Sequence, residues 1–170
     1  MNMIVRATTG VVIMLTCGIA RADECQPIIG AIGKLNSATQ FQQKGISATD
    51  GEKSHSIDYL VSNDKEYSRR DNGPWKISAR QLVPLIIDGK STVSECSRVG
   101  IEQLGDVSAI VYIYKRLTPA HDVRDVRLWV AESTGKPLQT VIGIDTEPGQ
   151  KYKFTFSYDP HAALPTVGDQ

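Results

Sequence analysis

The run that most constrains this chain is Lys151-Tyr152-Lys153-Phe154-Thr155-Phe156-Ser157-Tyr158. Four aromatic residues alternate with four polar ones. In an extended strand this puts every ring on one face and every lysine or hydroxyl on the other, whereas a helix would scatter them around its axis. Two more strand-like runs stand just before it. Val123–Ala131 places Val126, Leu128 and Val130 on one face and Asp125, Arg127, Trp129 and Ala131 on the other. Residues 138–145 are apolar on both faces, with Leu138, Ile142 and Ile144 on one and Val141 and Gly143 on the other. That is the pattern of a strand covered on both sides. The connections are short: Glu132 to Pro137, with Gly135 as the turn residue, and Glu147 to Gln150. Parallel neighbours need long crossovers, so the three runs predict an antiparallel meander.

Upstream, residues 25–37 read as a helix, with Pro27 in the first turn and Ile28, Ile29, Ile32 and Leu35 along one stripe. Strand signals follow. Residues 39–49 are extended, Asp50-Gly51 is a hairpin turn, and residues 53–62 align His55, Ile57, Tyr59 and Val61 on one face. Residues 66–70 form a short strand, and another resumes at Trp75 after Asn72-Gly73-Pro74. Residues 79–90 are ambiguous, open to a short helix that Pro84 would interrupt. Residues 96–104 and 107–117 form a hairpin about Gly105-Asp106, and the second of them is apolar on both faces, so it should be central. The expectation is one α+β domain. A strongly curved antiparallel sheet of about eight strands carries the N-terminal helix on its concave face.

Residues 1–22 read as a secretory signal peptide. Arg6 opens it, an apolar run centred on Val11 to Leu15 follows, and Ala20-Arg21-Ala22 is a small-x-small cleavage site. The apolar run is too short to span a bilayer comfortably. Neither Cys17 nor Cys25 has the preceding residues of a lipid-attachment site. The mature domain should occupy residues 23–165, in the periplasm or outside the cell, with a loose tail at 166–170. Cleavage removes Cys17 and leaves Cys25 and Cys96, which in an oxidising compartment form one disulfide. Closing so long a loop contributes on the order of 4 kcal/mol in the chain-entropy model.

The chemistry is sparse. The 170 residues carry equal numbers of acidic and basic side chains, so there is no basic footprint for nucleic acid. No nucleophile elbow, zinc-protease helix, phosphate loop or calcium loop occurs, and no cofactor is implied. His55 shares a strand face with Ile57 and Tyr59 and reads as a satisfied sheet histidine. His121-Asp122 with Asp125 offers possible metal ligands, but as a solvated loop it needs no metal. His161 lies in the tail. Arg69-Arg70-Asp71 reads as an edge-strand charge cluster, with anion binding as the alternative.

Several segments resemble one family. RLWVAESTGKPLQTVI is similar to the Trp-strand, Thr-Gly turn and Pro-strand hairpin of the LolA-like superfamily of periplasmic lipoprotein carriers, shared with the sensor domain of RseB-like regulators. FTFSYDPHAALP resembles its final strand, and Tyr67 with Gly73-Pro74-Trp75 its first-half hairpin. Small exported bacterial proteins with a Cys-x-Pro helix and a second Cys before the central hairpin are similar over residues 25–165. The resemblance implies a half-open barrel whose mouth is covered by helices, and an acyl chain or lipid as ligand. This chain is shorter, with fewer helices for a lid. It implies a non-enzymatic binding domain that holds an apolar ligand on the aromatic face, with Tyr152, Phe154, Phe156, Trp129 and Tyr59 as the candidate ligand residues. The alternative partner is a periplasmic protein, met by an interaction or sensor module whose core is filled.

Overall fold

The computed structural model of the protein describes residues 24–144 and 149–167. The signal peptide and its cleavage site therefore lie outside the described residues. The chain opens with helix α1 (Gln26–Ser37) and continues through β1 (Gln40–Ala48), β2 (His55–Ser62), β3 (Lys65–Arg70) and β4 (Lys76–Ala79). Two two-residue strands follow, β5 (Ile86–Ile87) and β6 (Lys90–Ser91), and then β7 (Val93–Leu104), β8 (Val107–Leu117), β9 (Val123–Ala131), β10 (Pro137–Ile144) and β11 (Lys151–Ser157).

Nine strands form one antiparallel sheet in the order β4-β3-β2-β1-β11-β10-β9-β8-β7. The sheet is two meanders, β1 to β4 and β7 to β11, zipped together by the pairing of β1 with β11. It is open, with β4 and β7 as its edges. The aromatic alternation of β11 is thus the seam of the molecule.

Helix α1 buries Ile28, Ala31, Ile32 and Leu35 against one face of this sheet. Ile28 and Ile32 share a core with Val93 of β7, Tyr112 and Tyr114 of β8, and Val126, Leu128 and Val130 of β9. Leu35 at the other end packs with Phe41 of β1 and Val61 of β2. Laid flat, β2 and β7 would stand roughly 29 Å apart, six strand spacings. A helix of 12 residues is only about 18 Å long. The sheet must curve around α1 for one short helix to reach both. The disulfide reinforces this. Cys25, the residue before the helix, is bonded to buried Cys96 of β7, with Cα atoms 5.2 Å apart and a sequence separation of 71.

The segment between the two edge strands corrects the expectation of a mid-chain helix. Residues 80–92 form an extended strap that runs from β4 to β7 over the helix side of the sheet, with β5 and β6 as a small hairpin. Asn36 grips it in both directions: its Nδ2 donates to the Val83 carbonyl at 2.8 Å and its Oδ1 accepts the Val83 N–H at 2.9 Å. Arg80 closes the C-terminal end of α1. Its guanidinium donates to the carbonyls of Leu35, Asn36 and Ala38 at 2.8–3.0 Å and of Asn63 at 3.1 Å. These are the orphan carbonyls a helix end must satisfy, and a cation there also suits the helix dipole. Pro84 forbids a helix but suits an extended strap.

Three smaller expectations also change. A bulge between Pro137 and Gln139 turns Leu138 away from Ile142, and it packs instead with Trp129 and Val141 on the opposite face. The segment after Asp159 is tethered, because Gln40 Nε2 donates to the carbonyls of Asp159 and Ala162. β3, which carries Arg69 and Arg70, is the second strand rather than the edge.

Candidate functional site

Register decides which of the candidate residues meet. Across the sheet one row runs Leu128, Thr140, Phe154, Gly45, Ile57, Arg70. Neighbouring rows on the same face carry Tyr152 with Ser47 and His55, and Phe156 with Gln43 and Tyr59. All of these face the helix side. Tyr59, Tyr152 and Phe154 form one aromatic cluster. The Phe154 ring stands 6.3 Å from Tyr59 at 56° and 6.3 Å from Tyr152, nearly parallel to it. Both geometries are favourable for aromatic pairs.

Gly45 is the quiet residue in this cluster. A β-carbon built there would collide with the Phe154 ring, so the missing side chain is the space the ring occupies. An isolated glycine inside a strand pattern signals such a close approach, which is the one clue the sequence carried.

Phe156 lies further in, under the C-terminal end of the helix, 6.4 Å from Phe41 in the core shared with Leu35 and Val61. Tyr158 continues this group, and its hydroxyl donates to the Pro137 carbonyl at 2.9 Å. Trp129 is separated from all of them. It pairs through Gln139 with Thr155, which puts it on the outer face, where it packs with Ala109 and Val111. Its indole N–H donates to Glu102 at 2.7 Å, and the Arg127 guanidinium lies 5.1 Å above its ring. A tryptophan at an odd position of β9 faces away from the even-numbered aromatics of β11. It is corrected from the ligand face to an outer-face packing residue.

Beyond the C-terminal end of α1 the helix face opens. Ile57, Tyr59, Ser68, Arg70, Pro74 and Lys76 line a trough of about 560 Å³. Ile57 and Tyr59 are only half-buried in its wall. Burial raises the pKa of the Tyr59 phenol, with Glu66 and Tyr152 adding to the effect, so its hydroxyl stays neutral at the trough wall. By contrast, the space directly beneath the helix, bordered by Ile32, Gln43, Arg116 and Phe156, holds only about 90 Å³. Ligand sites for molecules of modest size occupy roughly 300–1,000 Å³. On that scale the trough is adequate and the space beneath α1 is not. A depression of about 510 Å³ on the outer face, over Ile113 and Val141, is bounded by charged side chains, among them the Lys115–Asp125 pair at 2.8 Å.

His55 is satisfied, as read: its Nδ1 is 2.6 Å from Asp71 Oδ2, and Asp71 Oδ1 accepts the Ser56 N–H. The bond to His55 holds the Asp71 carboxyl below the usual carboxylate range. His121 occupies a left-handed turn at φ 63° and is exposed, as is His161. Arg69 is bound to Asp58 at 2.7 Å and covers the Trp75 ring. Among the described residues no three His, Cys, Asp or Glu side chains converge to hold a metal, and no helix is long and apolar enough to cross a membrane.

No family profile matches the sequence, and no curated protein does. Solved structures do. The lipoprotein LppX of Mycobacterium tuberculosis superposes with a TM-score of 0.53 over 83% of this chain and 98% of its own, at 11% identity. MucB of Pseudomonas aeruginosa, solved in complex with MucA, gives 0.42 at 18% identity over 79% of this chain. This chain spans only 55% of that one. A LolA superfamily protein from Nitrosomonas europaea gives 0.30 at 10% identity, over 78% of this chain and 91% of its own. The chain shares the fold of LppX.

Proposed function

We propose that this protein is an exported, non-enzymatic binding domain that holds the apolar part of a lipid or acyl chain in the trough beside α1. One observation carries the proposal: the single helix stops at Ser37, and open space of ligand size is walled by Ile57 and by Tyr59, whose ring is backed by Phe154. Apolar surface of this kind gains by burial, and aromatic walls dominate contacts to such ligands. The disulfide supports an oxidising compartment, which fits export. The likeness to LppX supports the fold on which such a site would be built.

The second reading, an interaction module with a filled core, is favoured by the small volume beneath the helix. Titration with a fluorescent fatty-acyl probe separates the two. The wild type should bind, Tyr59→Ala should weaken binding by about tenfold, and Lys153→Ala on the outer face should leave it unchanged. Absence of binding by a folded wild type would reject the carrier reading and leave the interaction module.

A further inference from the structure

Five arginines of the described chain are half-buried: Arg69, Arg80, Arg116, Arg124 and Arg127. Three of them are matched. Arg69 meets Asp58 at 2.7 Å, Arg127 meets Glu102 at 2.6 Å, and Arg80 meets four carbonyls. Arg116 and Arg124 are not. They stand directly opposite each other in the β8–β9 ladder, on the same face as Tyr114 and Val126, and so on the helix side. Neither guanidinium has an ion-pair or hydrogen-bond partner among the described residues, and the Nε atoms of both, like that of Arg127, are buried and unbonded.

This arrangement opposes folding in two ways. Like charges across a ladder repel, and a buried polar nitrogen without a partner carries an uncompensated desolvation cost. Burial lowers the pKa of the Arg116 guanidinium, and Arg124 pushes in the same direction. Tyr114, whose phenol burial pushes up to about 12, stays neutral at neutral pH and supplies no counter-charge. An unmatched polar group in a folded interior calls for an explanation, and an unfilled anion position is one. Arg116 is also placed to meet a ligand. It lines the small space beneath α1 together with Ile32, Ile142 and Gln43. Gln43 is in turn the cross-strand partner of Tyr59, which walls the trough.

We infer that Arg116 and Arg124 form a paired anion site for the oxyanion head, phosphate or carboxylate, of an amphiphile whose apolar part lies along the helix face. This rests on the proposed function above. Two guanidinium groups on directly opposed residues of adjacent strands supply the charge and the donors that an oxyanion takes.

The test uses the purified exported protein with its disulfide intact and three probes: dodecyl phosphate, 1-dodecanol and inorganic phosphate. Binding is measured by calorimetry and by the shift in thermal midpoint. Dodecyl phosphate should bind at least tenfold more tightly than dodecanol, and the advantage should shrink as salt rises. R116Q and R124Q should each remove most of that advantage while dodecanol binding is unchanged. Without ligand, both variants should melt no lower than wild type, because the repulsion is relieved. Equal binding of dodecyl phosphate and dodecanol, or an undiminished advantage in both variants, overturns the anion site and leaves the apolar trough standing. Inorganic phosphate binding as tightly as dodecyl phosphate, with dodecanol inert, overturns the amphiphile and the trough together, and assigns the two arginines to a free oxyanion.

Discussion

The contact between Gly45 and Phe154 makes a sharp test of how the seam is built. Phe154 is 8% exposed, and its ring lies where a β-carbon of residue 45 would stand. The backbone at Gly45 is ordinary extended strand within β1. Gly45→Ala therefore meets no backbone objection, only the ring. Forcing a buried ring aside costs typically 1–3 kcal/mol. The same Gly→Ala change in an unobstructed strand gains roughly 0.5–1 kcal/mol from the stiffer unfolded chain. Phe154→Ala alone should cost about 3–5 kcal/mol, the usual loss for a buried phenylalanine. Once that ring is gone, Gly45→Ala should turn from harmful to neutral or helpful. The chain-entropy gain is common to both backgrounds and cancels, so the expected coupling in a double-mutant cycle is the cost of displacing the ring, about 1–3 kcal/mol. Urea melts of the four disulfide-intact proteins, followed by tryptophan fluorescence, measure it. Additive effects, with Gly45→Ala costing the same in both backgrounds, would show that the ring does not fill the glycine's space and that the β1–β11 register is wrong.

Three further outcomes follow from the same structure. Cys96→Ser should lose about 2–5 kcal/mol in denaturant melts, because the bond ties the start of α1 to the far edge strand, and thiol titration of the native protein should find Cys25 and Cys96 unreactive. Arg80→Ala should cost about 2 kcal/mol by the same melts, since it strips a charged donor from the carbonyls at the helix end. Asp71 has a folded-state pKa below its unfolded one, so its stabilising effect is present above about pH 4, the unfolded value, and is lost as pH falls through the lower folded value. Asp71→Asn should accordingly flatten the stability profile below about pH 4 and leave its shape at higher pH unchanged, as read from melts across that range.

Alternation made much of this molecule readable from its residues. Val123–Ala131 and the aromatic run of β11 each keep a two-residue period between clear turn residues, and both are strands as the pattern reads, whereas Val107–Leu117, apolar on both faces and read as central, is a strand that lies next to the edge strand β7. The pairing of β1 with β11 was not readable, because it joins segments a hundred residues apart with no local signal. Periodicity also fails where the ladder is irregular. One extra residue at the Pro137–Gln139 bulge reverses Leu138, and no composition rule marks it. The strap at residues 80–92 gave a mixed helical pattern because Val83 and Leu85 serve a helix packed above the sheet rather than a sheet face of their own. Of the five candidate ligand residues, Tyr59, Tyr152 and Phe154 come together because the rows align across β2, β1 and β11, Phe156 lies deeper under α1, and Trp129 falls on the opposite parity. Arg116 and Arg124 look like surface charge in the sequence, and only the ladder shows them facing each other beneath the helix side.

Native mass spectrometry of the protein purified from its own cells, without detergent, tests the central claim most directly. If the trough holds an apolar chain, wild type should fly with an added mass of lipid size. That mass should be lost or much reduced in Tyr59→Ala and retained in Lys153→Ala. A wild type that carries no added mass, and gains none when offered a fatty-acyl probe, would contradict the claim.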